Sequence, residues 1–262
     1  MSASMTSRLS INGLSKRFGG LIAVGDVSFE VPADGVTAVI GPNGAGKTTL
    51  FSLISGFLPP TEGTIRFEGD DIVGLTPDKL AARGLVRTFQ LVQLFPEMSV
   101  LDNVKVGQHL HTSSGLLAAV LRPGSTRAEE ARVEATSREL LEMARLTPLA
   151  DQPAKILSYG QQRLLELIRA LAAQPRLILL DEPAAGLDSN ESKHLAAMIR
   201  QIAASGVTVL LIEHDMSLVM SVADRVVVLD FGRKIAEGTP AEVRKHPAVL
   251  EAYLGGVEIA DV

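Results

Sequence analysis

The hydrophobic rhythm of the chain changes as it proceeds. Near the start, RLSINGLSKRF and VGDVSFEV alternate apolar and polar positions, and GTIRFEGDDI repeats the alternation with glycine at its edges. A period of two predicts strands buried on one face, so these segments predict a small antiparallel layer. By contrast VTAVI (36–40), RLILL (176–180) and VTVLLI (207–212) are short unbroken apolar runs, each followed by a polar turn and a helical segment. Strands covered on both faces read in this way, which predicts a parallel sheet inside an α/β core.

From about 91 to 165 the period lengthens. STRAEEARVEATSRELLEMARL places Val133, Leu140, Leu141 and Ala144 near helical spacing, and the stretch predicts a mostly helical insertion. Inside it, SSGLLAAVLRPGSTR is broken by Pro123 and Gly124, which predicts a short packing helix and a turn. Further on, RVVVLDFGRKIAEG predicts a hairpin. TPAEVRKHPAVLEAYLGG predicts two helices, the first opened by Thr239, Pro240 and Glu242 and the second closed by Gly255.

Composition narrows the possible partners. With 46% hydrophobic and 21% charged residues the chain can bury a real core, and its net charge of −5 supplies no general attraction to nucleic acid. It has no cysteine, hence no disulfide framework and no thiolate metal site. MSASMTSRLS lacks the pattern of a secretion signal, so no export is expected. The apolar runs fall far short of the roughly 20 residues that span a bilayer.

The candidate chemistry begins after the first apolar run. GPNGAGKTT (41–49) matches Gly-x-x-x-x-Gly-Lys-Ser/Thr between a strand and an apolar helix, the context that gives the pattern meaning. Gly41, Pro42, Asn43, Gly44, Ala45, Gly46, Lys47, Thr48 and Thr49 therefore form a candidate phosphate cradle. Its glycines let backbone N–H groups turn toward an anion, the helix dipole adds positive charge, and Lys47 reaches the β- and γ-phosphates of a nucleotide. The Thr48 hydroxyl is a candidate ligand for Mg²⁺. LILLDEP places Asp181 and Glu182 where another apolar run ends, the edge at which parallel sheets bind ligands. Asp181 is expected to hold Mg²⁺ directly or through water, and Glu182 to orient an attacking water.

LSYGQQR (157–163) raises a separate question. Ser158 and Gln161 have the spacing of a reciprocal helix cap, yet Gly160 sits in the first turn, where it costs stability and leaves the backbone bare. With LSYGQ, the cradle, GLD (186–188), TFQ (88–90) and EHD (213–215) in order, the chain resembles the ATP-binding subunits of ABC transporters from Phe18 to Tyr253. The variant SYGQQR, with DEPAAGLD, LLIEHDMSLVM and the ending GTPAEVRKHPAVLEAYLG, resembles the longer ATPase subunit of branched-chain amino acid importers.

The resemblance implies a P-loop NTPase core with a parallel sheet, an N-terminal antiparallel β layer and an inserted helical subdomain. One domain is implied over 1–262, with the RecA-like core and β layer at about 8–90 and 166–237, the helical subdomain at about 91–165 and C-terminal helices at 238–262. It assigns Phe18 to adenine stacking, Gln90 to the Mg²⁺ and water side of the γ-phosphate, and His214 to a hydrogen bond with that phosphate. Each has a plainer alternative: strand packing for Phe18, a solvated strand end for Gln90, a core histidine for His214.

Two subunits are implied to pack head to tail, so that Ser158, Gly160 and Gln161 of one cover the γ-phosphate held by the other. Asp188 is then a contact across the dimer, or simply a helix cap. Tyr159 replaces the family's first glycine and is expected in ordinary helical geometry, pointing away from the nucleotide. ATP and Mg²⁺ are the implied cofactors. The implied partners are membrane-spanning permease subunits, a second ATPase that is either another copy or the shorter paralogue, and, indirectly, an extracytoplasmic solute-binding protein. The chain would then sit on the cytoplasmic face of the inner membrane, held by the permease. Leu91, Leu94, Phe95 and Met98 in LVQLFPEMSVLDNV line an implied docking groove, or else are core. Among other classes, soluble ABC-type ATPases of translation or DNA repair usually carry two cassettes or a long coiled coil, and a phosphotransferase has no use for the LSYGQ turn. Urea, amides and aromatic acids are the other solutes considered.

Overall fold

The computed structural model describes residues 7–88, 93–108 and 123–254. Its first half runs β1 (Ser7–Phe18), β2 (Leu21–Pro32), β3 (Val36–Ile40), α1 (Lys47–Ile54), β4 (Glu62–Phe67), β5 (Asp70–Asp71), α2 (Pro77–Ala82), β6 (Leu85–Arg87) and α3 (Val100–Gly107). There follow α4 (Pro123–Met143), α5 (Tyr159–Ala172), β7 (Leu177–Asp181), α6 (Ser189–Ala204), β8 (Thr208–Ile212), α7 (Met216–Val222), β9 (Arg225–Asp230), β10 (Arg233–Gly238), α8 (Pro240–Val243) and α9 (Pro247–Leu254).

The alternating segments form an antiparallel sheet in the order β2-β1-β4-β5. The unbroken apolar runs form a second sheet, β10-β9-β3-β8-β7-β6, parallel except for β10 at its edge. Every residue of β3, β7 and β8 is buried. Successive side chains leave opposite faces of a strand, so each run is divided between two cores. Ala38, Ile40, Ile178, Leu180, Val209 and Leu211 face a core shared with α3, α5 and α6. Val39, Leu177, Leu179, Leu210 and Ile212 face one shared with α1 and the antiparallel layer. Each fully buried Val, Leu or Ile side chain here contributes about 1.5–3 kcal/mol relative to exposure.

Three features differ from the sequence expectations or extend them. The Pro123–Gly124 pair does not lie in a free turn: α4 begins at Pro123, where a missing N–H costs little. The helix that opens at Tyr159 runs on to Ala172, past the change of rhythm near 165. The β9–β10 hairpin closes through Phe231 and Gly232, with φ of 42° and 76°, the positive values that a two-residue I′ turn requires. The cap formed by Thr239 and Glu242 is present as expected, whereas Gly255 lies outside the described residues.

Parallel pairing brings three strand ends to one edge. Val39 of β3 and Asp181 of β7 both pair with Ile212 of β8. The cradle after Ile40, the Asp181–Glu182 pair and the Glu213–His214 pair therefore emerge side by side.

Candidate functional site

The cradle leaves β3 and enters α1 through strained glycines. Gly41 has φ 152° and Gly46, the residue preceding α1, φ 95°; a Cβ on either would overlap a carbonyl oxygen, of Leu229 and Ala23 respectively. Only glycine fits these turns. The hollow they border has a volume of about 400 Å³ and is lined by Leu21, Ile22 and Ala23 of β2, Asn43 to Thr49, Glu182 and Phe231. Lys47 is buried and folded over its own loop, its Nζ donating to the carbonyls of Gly41 at 2.7 Å and Pro42 at 2.9 Å. Burial holds its ammonium below the usual lysine range, an effect that the Glu182 carboxylate partly offsets. To meet a phosphate, Lys47 exchanges two carbonyl dipoles for a full anionic partner, which a half-desolvated ammonium favours.

Asp181 and Glu182 divide by environment although they are adjacent. Asp181 is 3% exposed, and its Oδ2 is held by Arg87 of β6 at 2.7 Å. Arg87 is itself fixed by the Ser55 hydroxyl at 2.9 Å and lies over the Phe51 and Phe57 rings. Glu182 lines the hollow with φ 46°, a left-handed conformation that costs a non-glycine residue of order 1 kcal/mol or more and often marks a functional site. Its N–H donates to the Ile212 carbonyl at 3.0 Å, and its Oε2 lies 4.0 Å from Nδ1 of the exposed His214. No group of three or more His, Cys, Asp or Glu residues able to hold a metal exists among the described residues. The Thr48 hydroxyl and the Asp181 carboxylate are hard oxygen donors, the kind that Mg²⁺ takes.

Phe18 ends β1, about half exposed, paired with Leu21 and with the Lys16 ammonium 5.2 Å from its ring centre. The hollow itself is lined by its partner strand. Gln90 and Leu91 lie outside the described residues.

The LSYGQ turn stands apart from the strand-end cluster, at the start of α5. Ser158 Oγ accepts from Gln161 N at 3.2 Å, and Gln161 Oε1 from Ser158 N at 3.0 Å, so the reciprocal cap is real. Tyr159 takes ordinary helical geometry, its ring against Gly186 and the Arg163 guanidinium 5.5 Å from its centre. The bare turn, however, is not idle in its own chain. Gly160 is buried, and a Cβ there would overlap the Glu191 carboxylate. That carboxylate also accepts from Asp188 N at 3.1 Å, while Asp188 Oδ1 accepts from the N–H groups of Asn190 and Glu191. Asp188 is thus a helix cap, and the GLD turn seats the LSYGQ turn.

Four contributors escaped the sequence reading: Arg87, Glu191, Glu213 and Tyr253. Tyr253 of α9 sits with the Gly41 amide facing its phenol, and burial pushes its pKa up to about 12. A second recess of about 550 Å³ runs between Pro42 to Ala45 of the cradle and Ala248, Glu251 and Ala252 of α9. No local pattern marks these residues, because each meets its partner through distant parts of the chain. A groove of about 530 Å³ away from the cradle is lined by Leu94 and Phe95 with Val106, Glu166 and Arg169; Met98 is not among its lining residues.

Comparison with known proteins covers most of the chain. The model of the ABC transporter family matches residues 24–185, and that of the branched-chain amino acid ATP-binding cassette transporter matches residues 233–259, which include α9. The chain is 46% identical to the high-affinity branched-chain amino acid transport ATP-binding protein BraF of Pseudomonas aeruginosa, over 94% of this chain and 97% of that protein. It is 44% identical, with the same coverage, to the corresponding protein LivG of Escherichia coli K12. Among solved structures it is similar to the ADP conformation of an ATP-binding cassette of an ABC transporter, with 37% identity, TM-score 0.81, and coverage of 95% of this chain and 99% of that one. A nucleotide-free ABC transporter cassette aligns with 35% identity and TM-score 0.80, over 97% of this chain and all of that one.

Proposed function

The chain belongs to the ABC transporter family, in the group of the branched-chain amino acid transport ATP-binding proteins, and from this premise we propose that it hydrolyses ATP between two such subunits to drive import of branched-chain amino acids. The observation that carries the reading is the cluster at one sheet edge: a glycine cradle with its buried lysine, beside a left-handed Glu182 within 4.0 Å of His214. Backbone N–H groups of 41–49 and Lys47 bind the triphosphate. Thr48 and Asp181, with Gln90, would hold Mg²⁺, which would supply positive charge to offset that of the nucleotide phosphates. Glu182 accepts hydrogen bonds from the attacking water and polarises it, and His214 donates to the γ-phosphate. Ser158, Gly160 and Gln161 of the partner close the site, with Asp188 lying at the seam; Phe18 stacks on adenine.

Closing and reopening of the pair drives permease subunits. The groove lined by Leu94 and Phe95 supports docking of a permease segment there. No helix among the described residues is long and apolar enough to cross a membrane, in keeping with attachment to the cytoplasmic face through the permease. The second ATPase is a copy or a shorter paralogue, and a solute-binding protein outside the membrane delivers the amino acid.

Glu182→Gln tests the reaction. It keeps the side chain's size and removes the charge, so ATP still binds while hydrolysis slows roughly 10²–10⁴-fold. Turnover at the parent rate in this variant would overturn the assignment of Glu182.

A further inference from the structure

Glu213 lies between the two loops that carry Glu182 and His214, and its side chain is fully buried. A carboxylate survives in such a place only when its oxygens are satisfied. Here Oε1 accepts from Ala184 N at 2.8 Å, while Oε2 accepts from His214 N at 3.0 Å and Asp215 N at 3.2 Å. One oxygen thus serves the loop after β7 and the other the loop after β8. The bond from Glu182 N to the Ile212 carbonyl, 3.0 Å, closes the same seam from the strand side. Ala184 stands two residues beyond Glu182, across the buried Pro183, so pinning its N–H limits how far Glu182 can swing. Oε2 also lies 3.8 Å from His214 Nδ1, on the side where Glu182 approaches to 4.0 Å.

We propose that Glu213 is a positioning residue for hydrolysis: its carboxylate clamps the Glu182 loop to the His214 loop, so that the two groups are presented to the γ-phosphate as one unit. The proposal rests on the roles given above to Glu182 and His214. Charge-assisted hydrogen bonds to three backbone donors recover much of what burial of the carboxylate costs. Burial pushes the Glu213 pKa upward while the three amides and His214 pull it down, consistent with a carboxylate held between opposing demands. A buried aliphatic side chain would fill the same volume without a desolvation cost, and it would leave three N–H groups unpaired and the two loops unlinked.

Glu213→Gln separates the two sides of the clamp. A carboxamide has one acceptor oxygen, so its NH₂ must confront either Ala184 N–H or the His214 and Asp215 pair, and one loop is released. In the full chain assayed with its partners, the expected result is kcat lowered about 10- to 100-fold with the Kd for ATP changed less than about twofold. Combined with Glu182→Gln, it should add little further loss, because residues acting as a unit are not additive. Glu213→Asp, which keeps the charge on a shorter stem, should fall between, and it carries the same test if Glu213→Gln does not fold. Parent-level kcat in the folded variant overturns the proposal. So does a loss of kcat matched by equally weakened ATP binding, or one that multiplies in full with Glu182→Gln. A parent rate in Glu182→Gln alone would instead remove the reading on which the clamp depends.

Discussion

The strand-end cluster and the LSYGQ turn are built on opposite plans. At the strand ends the polar groups are sunk into the protein: Lys47 is 7% exposed, Asp181 3% and Glu213 0%, each held by named partners of the same chain. Ser158 and Asp188 are exposed helix caps whose bonds are local. The first region is finished by its own fold; the second offers a surface that its own chain supports from behind. Gly160 makes the point: its missing side chain admits Glu191 from within, whatever later approaches from outside.

Mixing variants tests that contrast most severely. Lys47→Ala should weaken ATP binding by the isolated chain, whereas Ser158→Ala should leave binding intact; each should lower turnover of a homodimer by about 10²–10³-fold. In a mixed dimer, one site joins both damaged halves and the other joins both intact halves, so mixing should restore close to half of the parent rate per mixed dimer. Mixtures no more active than the separate variants would show that the regions do not complete each other across chains.

The Arg87–Asp181 pair probes the buried plan next. Removing one partner of a buried ion pair strands the other, so Arg87→Ala should cost about 3 kcal/mol in denaturant unfolding, and adding Asp181→Asn should recover a large part. This pair shows why part of the site was hidden in the sequence. The cradle and LILLDEP were legible because strand, turn and helix signals adjoin them. Arg87 in GLVRTFQ reads as a surface cation until β6 and β7 are seen to pair, Val86 opposite Ile178. Glu213 reads as a polar strand end for the same reason. Both cores, by contrast, were legible as unbroken apolar runs, because burial on two faces needs no distant partner to be named.

A smaller effect separates the two uses of Gly160. Gly160→Ala drives a methyl against the Glu191 carboxylate, the far end of a flexible side chain that can turn aside at the expense of its bond from Asp188 N, so it should destabilise the chain by no more than about 1 kcal/mol. Glu191→Ala in the same chain should restore most of the stability. If turnover stays low after stability returns, the glycine also serves the partner's nucleotide; if turnover returns as well, its role is confined to seating the turn on α6.

The smallest test lies where α9 meets the cradle. Tyr253 faces the Gly41 amide while Lys47 holds the Gly41 carbonyl, so the two peptide groups that flank this glycine are each approached by a side chain. Tyr253→Phe keeps the ring and loses the hydroxyl, and near neutral pH it should change stability by less than about 1 kcal/mol. The pH dependence gives the sharper signature. The folded phenol is raised to about 12 from 10.0, so its stabilising share is complete below pH 10 and is lost as pH rises toward 12. The parent should therefore lose stability across that window more steeply than Tyr253→Phe, measured as the difference between their unfolding midpoints from pH 9 to 11.5. Parallel curves would mean that the phenol ionises as freely in the folded chain as in the unfolded one, and that α9 touches the cradle without sealing it.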